Sequence, residues 1–281
     1  MDIAHSLIKS ARTVGGDALW ELLITQHPEV LSNAVFNKNL KEEMAVFIAR
    51  SRNTPLETLG FLAGDVRFKE SSELKLVLCK NPKTPQKVTL SLLKFIGTLD
   101  LGDLTRYQRI PLNIRQKIEL ILIEKILPMP LGVKKSLAKR ASSSVVMAIM
   151  GKSDKSVISV CLDSPSLVEG HLYTLINKSS TKQTLIEAVA EHPKWALRYA
   201  IRYALIRNFY TPMQYIIDFI KGMKTSDLRL LYSDPKLPVS TKPYIFMELQ
   251  ERNETVDIAK TKTYTLSEEE DACISDRDID L

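Results

Sequence analysis

An all-α fold of irregular helix pairs stacked one after another is what this sequence predicts, and three observations carry the prediction. The first is a repeat: Val46-Phe47-Ile48-Ala49-Arg50-Ser51, two spacers and Thr54-Pro55 return thirty positions later as Leu76-Val77-Leu78-Cys79-Lys80-Asn81, two spacers and Thr84-Pro85. A third copy, Tyr203-Ala204-Leu205-Ile206-Arg207-Asn208, leads to Thr211-Pro212. The second is punctuation, with 10 Gly and 13 Pro, the prolines gathering at these corners. The third is the scarcity of alternating apolar and polar runs in a chain that is 44% hydrophobic, enough to bury a continuous core.

Each copy reads as a hinge between two helices. An aliphatic run ends in a base followed by Asn or Ser, where Asn81 and Asn208 suit the left-handed conformation that closes a helix and the base faces the negative end of its dipole. The next helix is expected to start at Thr-Pro, with the hydroxyl of Thr54, Thr84 or Thr211 as cap and Pro55, Pro85 or Pro212 in the first helical position. Glu57 and Gln214 stand at capping-box spacing from Thr54 and Thr211, whereas Lys87 breaks that pattern after Thr84. Apolar residues then resume on a helical stripe: Leu59 and Leu62; Val88, Leu92 and Leu93; Tyr215, Ile216, Phe219 and Ile220.

The stretch Asn81-Pro82-Lys83-Thr84-Pro85, preceded by an aliphatic helix, resembles the variant leucine-rich repeat and the related HEAT-like α-solenoids. Asp65-Val66-Arg67 is similar to the Asp and Val-Arg that such repeats carry at the start of their second helix. Weaker echoes at Thr25-Gln26-His27-Pro28, Ile110-Pro111, Asp163-Ser164-Pro165, Glu191-His192-Pro193 and Asp234-Pro235 extend the resemblance from about residue 20 to 245. It implies a right-handed superhelical α-solenoid of irregular HEAT-like helix pairs over residues 1–250. One founding member of the variant repeat family holds an iron-sulfur cluster on N-terminal cysteines. Here no Cys precedes Cys79, so no cofactor is carried over.

In chain order, residues 1–20 are expected to form an amphipathic helix broken at Gly15-Gly16 that caps the stack, because a terminal repeat needs a more polar outer face. The clearest repeats occupy 21–95. From 96 to 140 the pattern decays, ending in a basic helical face of Lys134, Lys135, Lys139 and Arg140. Ser142-Ser143-Ser144 reads as a loop or a helix start, and helix pairs of irregular length fill 145–250. A parallel α/β fold is the main competitor, since Ile118-Glu119-Leu120-Ile121-Leu122-Ile123 has the look of a buried strand; its spacing fits a helix at least as well.

From Glu251 to Leu281 ten acids face four bases, a net charge of −6 that leaves +12 on the rest of a chain whose total is +6. Such an acidic tail is expected to be solvated and disordered. A second reading has it fold back over the basic body in competition with an acidic partner, an attraction that salt would screen. Cys79, Cys161 and Cys273 lie far apart, which points to a reducing compartment without disulfides. The N-terminus has an early acid and no apolar core of a secretory signal, and no run is long enough to span a bilayer, so a cytoplasmic protein is expected.

Signals for chemistry are weak throughout. His5, His27, His171 and His192 have no metal-ligand spacing to one another or to Cys, so no metal is expected. His27 and His192 precede prolines at corners, which favours turn roles. Gly151-Lys152-Ser153 ends like a phosphate loop, but Val146 stands where its first Gly belongs. The triple serine lacks a nucleophile-elbow context, and Glu42-Glu43 and Glu268-Glu269-Glu270 are adjacent acids rather than a pair across a cleft. No catalytic residue is assigned.

One stretch suggests recognition. On a helix Trp195, Tyr199 and Tyr203 share a face, Arg198 and Arg202 lie one position round, and Arg207 follows near the end. Aromatic and Arg side chains together favour binding hot spots or stacking on bases with a grip on phosphates. The alternative, that the aromatics are a core stripe with arginines along its edge, is favoured because an amphipathic helix needs such a stripe anyway. Two function classes follow: a non-enzymatic scaffold binding an unidentified protein on an extended surface, and a nucleic-acid binder. The second rests on the basic body and on the resemblance to HEAT-like DNA-alkylation-repair glycosylases, although only Trp20 and Trp195 are present and no matching aromatic and acidic cluster is visible.

Overall fold

The computed structural model describes residues 7–252, and every regular element among them is helical. The chain divides into two compact units with the boundary between Leu205 and Ile206, inside the stretch read from sequence as one body. The acidic run read as a tail lies, beyond Arg252, outside the described residues.

The first unit carries α1 (Gly16–Ile24), α2 (Pro28–Ala34), α3 (Glu42–Arg50), α4 (Leu56–Gly64), α5 (Ser72–Lys80), α6 (Gln86–Leu92), α7 (Thr98–Arg106), α8 (Leu112–Lys125), α9 (Leu131–Arg140), α10 (Ser143–Lys152), α11 (Lys155–Leu162), α12 (Glu169–Ile176) and α13 (Gln183–Glu191). Packing follows alternation. Helix α1 contacts α3 and α3 contacts α5; farther on α7, α9, α11 and α13 pack in succession, while α6, α8, α10 and α12 form a second series. Leu59, Leu62, Leu74, Leu78, Leu101, Leu104, Ile118 and Leu122 are fully buried between these helices, each side chain contributing about 1.5–3 kcal/mol. Ile118–Ile123, the candidate strand, belongs to α8, with Ile114, Ile118 and Leu122 turned inward on one stripe. Gly102 lets α7 approach α9 closely: a Cβ there would stand 2.5 Å from Leu137 Cδ1, so that side chain would have to shift. The expected break near Gly15-Gly16 is present: residues 7–10 are helical, and α1 begins at Gly16 with φ of 57°.

The corners sit where the repeat places them, with different chemistry. Pro55, Pro85 and Pro212 are the extended N-cap residues of their helices rather than the first helical residues, and none of these helices has a side-chain cap. Proline forces the preceding residue away from helical geometry. Thr54 Oγ1 turns back to donate to Ile48 O at 2.5 Å, and Thr84 Oγ1 to Leu78 O at 2.7 Å. The buried threonines thus add a second bond to a carbonyl in the last turn of the preceding helix that already accepts the Ser51 or Asn81 N–H, and the capping box expected at Thr54 and Glu57 does not form. Thr211 is buried at the equivalent corner in the second unit.

Asn81 is extended, with φ of −81° and ψ of 118°, not left-handed. Its amide spans two repeats: Nδ2 donates to Ala49 O and Ser51 O at the end of α3, and Oδ1 accepts the Lys83 N–H. Asn37, after α2, reaches back in the same way, donating to Ala11 O and Val14 O. Asp65-Val66-Arg67 also corrects its expected place, since it follows α4 and forms a short 3-10 turn (Val66–Phe68) before α5. Asp65 accepts the Arg67 N–H, while the Arg67 guanidinium donates to Val35 O and Asn37 O at 2.7 Å each. These side chains tie each repeat to the last.

In the decayed region the expected basic face is divided. Lys134 is buried with its Nζ near Leu127 O, and Arg140 pairs with Asp103 of α7. Ser142 is the N-cap residue of α10, and its backbone N–H donates to Thr105 Oγ1. The second unit contains α15 (Met213–Lys221), α16 (Thr225–Ser233) and α17 (Lys242–Glu251), with α17 packed on both others. Arg252 reaches Lys221 O and Met223 O at the end of α15 and pairs with Glu248.

Candidate binding surface at the helix corners

The stretch expected to form one recognition helix is broken in two. Residues 193–197 are turns, and α14 (Tyr199–Ile206) begins only afterwards, so Trp195 does not share a helix with Tyr199 and Tyr203. Trp195 is 2% exposed, its indole N–H donates to Leu162 O at 2.8 Å, and Lys194 Nζ lies 4.3 Å from the ring centroid. It therefore closes the end of α11 and fills the core. The buried stripe of α14 is Ile201, Ala204, Leu205 and Ile206 instead. Arg198 and Tyr199 are exposed, and Arg202 and Tyr203 half-buried. Arg202 Nε donates to Ala196 O at 2.6 Å, and Arg207, in the second unit, pairs with Asp234 at 2.7 Å.

A different set of side chains gathers at the corners of the first unit. Arg50, Lys80, Arg106 and Arg140 are the last residues of α3, α5, α7 and α9, where a cation offsets the negative helix end. Two of them join Arg52 and Arg109 around a hollow of about 320 Å³ that is also lined by Val77 and Tyr107. Four cations face it, and no carboxylate lines it. Arg50 also lines a hollow of about 370 Å³ with Gln26, Ser51, Arg52 and Asn53, and one of about 650 Å³ with Trp20, Glu42, Glu43, Phe47 and Glu73. Trp20 and Phe47 meet edge to face at 5.2 Å, which fixes the apolar wall of the last.

Gln26 holds this corner at the expense of backbone strain, since its φ of 52° is left-handed. The following repeat secures it: Asn53 Nδ2 donates to Gln26 O and Ser51 Oγ to Gln26 Oε1. Sequence reading took the helix-ending base as part of each copy, facing the helix dipole; only the packing of the repeats brings Arg50 and Lys80 together with Arg52 and Arg109 on one hollow.

Elsewhere Ser143 Oγ lies 2.7 Å from His171 Nδ1, exposed and with no carboxylate recorded against the other ring nitrogen among the described residues. His192 Nδ1 accepts the Lys194 N–H and Nε2 lies 3.2 Å from Asp163, a turn role as expected. Burial pushes the thiols of Cys79 and Cys161 up to about 12, so both are poor nucleophiles. Among the described residues no group of three His, Cys, Asp or Glu could hold a metal, and no helix is long and apolar enough to cross a membrane. No family model, curated protein or solved structure matches this chain.

Proposed function

We propose that this protein is a non-enzymatic scaffold, a right-handed α-solenoid of irregular HEAT-like helix pairs that binds another protein along its repeats in the cytoplasm. The observation that supports this reading most is alternate-helix packing, α7 through α13 and α6 through α12, joined by side chains that reach one repeat back. Such an assembly presents the same corner again and again on one edge, which is how repeat proteins build extended binding surfaces. The acidic run 251–281 enters as a charge competitor for an acidic partner.

The four-cation hollow favours one second reading, a nucleic-acid binder that grips phosphates. Affinity capture on the full chain with and without nuclease separates the two. A defined protein retained after nuclease is the expected result; loss of every partner on nuclease treatment overturns the scaffold.

A further inference from the structure

We propose that the corner track centred on Arg50 is the docking site for an extended acidic segment of a protein partner. This deepens the scaffold reading and rests on it.

The charge distribution selects the partner. Arg50, Arg52, Lys80 and Arg109 converge on one hollow whose floor is apolar at Val77 and whose wall holds the Tyr107 ring. Cations grouped around Val77 suit a segment with carboxylates at alternate positions, since alternate side chains of an extended peptide share one face and reach the hollow together. The exposed bases are available: Arg52 and Arg109 are solvent-facing, and the Arg50 pair with Glu73 is loose at 3.6 Å with both side chains more than half exposed. A surface pair of that kind contributes little and yields readily to a better anion.

A long polyphosphate fits the track less well. On the far side of Arg50 the next hollow carries Glu42, Glu43 and Glu73, so an unbroken run of phosphates entering there meets three carboxylates. A peptide with acidic residues toward Arg109 and basic or apolar ones toward Trp20 meets complementary groups at both ends. Between the ends, Gln26 and Asn53 supply amides beside Arg52 for peptide backbone.

The test is a fluorescence-anisotropy titration of the full chain with a labelled peptide whose first half alternates Glu and Leu and whose second half alternates Lys and Leu, beside a labelled single-stranded oligouridine. The wild type is expected to prefer the peptide, and Arg52→Glu/Arg109→Glu to weaken it by about tenfold or more. Arg52→Gln/Arg109→Gln is expected to fall between, and the distant reversal Lys139→Glu/Lys182→Glu to leave affinity within about twofold after correction for salt screening. Equal weakening by the distant reversal, tighter binding of oligouridine, or no peptide binding by the wild type each overturns the proposal. If nuclease-resistant protein capture persists while the peptide fails, the track is wrong and the scaffold stands; if capture fails, the scaffold itself falls.

Discussion

Two parts of the first unit solve the same problem with different chemistry. In α3 to α6 the ends of helices are closed by Asn81 and by Thr54 and Thr84, the residues of the visible repeat. At the corner after α7, Tyr107 and Ile110 replace the Asn and Thr, and only Arg106 and Pro111 of that pattern survive, yet the helices of α7 to α11 still pack alternately. There Ser164 Oγ donates to Ala138 O, Ser166 Oγ to Ala141 O, and Arg140 grips Asp103 across the repeat. What persists between the two is the need to satisfy carbonyls at helix ends while a repeat-long step is kept; the side chain that does it is interchangeable.

The largest expected effect breaks the comparison at its common core. Leu78→Ala in α5 and Leu137→Ala in α9, both fully buried, should each cost about 2–5 kcal/mol in denaturant unfolding. Comparable losses in both regions support one mode of packing. Asn81→Ala sharpens the contrast, since it strands the Ala49 and Ser51 carbonyls and should cost about 2–3 kcal/mol. Thr84→Val should cost about 1 kcal/mol, with Thr84→Ser recovering part of it. Arg140→Met, on a pair with both side chains about two-fifths exposed, should cost clearly less than Asn81→Ala, and less again in high salt. A loss at Arg140 as large as that at Asn81 would undo the contrast between buried amide and surface ion pair.

Alkaline titration probes both regions at once, through Cys79 in α5 and Cys161 in α11. An unfolded thiol ionises from about 9.0, whereas these two are held protonated to about 12, so stability should fall as pH rises from 9 toward 12. Site-resolved alkylation should find both peptides unmodified until the chain unfolds. At acid pH the sign reverses for Asp65, whose carboxyl the Arg67 hydrogen bond holds below its usual 3.8. Its contribution is present above that value and is lost as pH falls through the lower folded one.

Much of the fold was legible because aliphatic stripes of helical period and Pro-marked corners are written in the sequence at short range. The helices of 42–95 could be read from Val46 and Ile48, Leu59 and Leu62, Val77 and Leu78, and Val88 and Leu92. Bond direction could not. Thr84 turns back to a carbonyl six residues earlier, and Asn81 reaches a carbonyl thirty residues away rather than bending left. Thr181 shows the limit plainly: it donates to Leu175 O in the same backward manner with no proline beside it, so no motif announced it. At the candidate site, the favoured core reading holds for Trp195, but its placement on one helix with Tyr199 and Tyr203 does not, because residues 193–197 form turns whose composition resembles a helix start. The Arg50 track was missed because its members are adjacent only after repeats stack.

Hydrogen exchange on Asn81→Ala, followed by mass spectrometry against the wild type, tests the central claim that each repeat is held by its neighbours. Faster exchange confined to α3 through α6, with Lys155–Glu191 unchanged, is the predicted result. A uniform rise from Gly16 to Glu191 would contradict it, because it would mean one cooperative core in which a single corner amide reports on the whole.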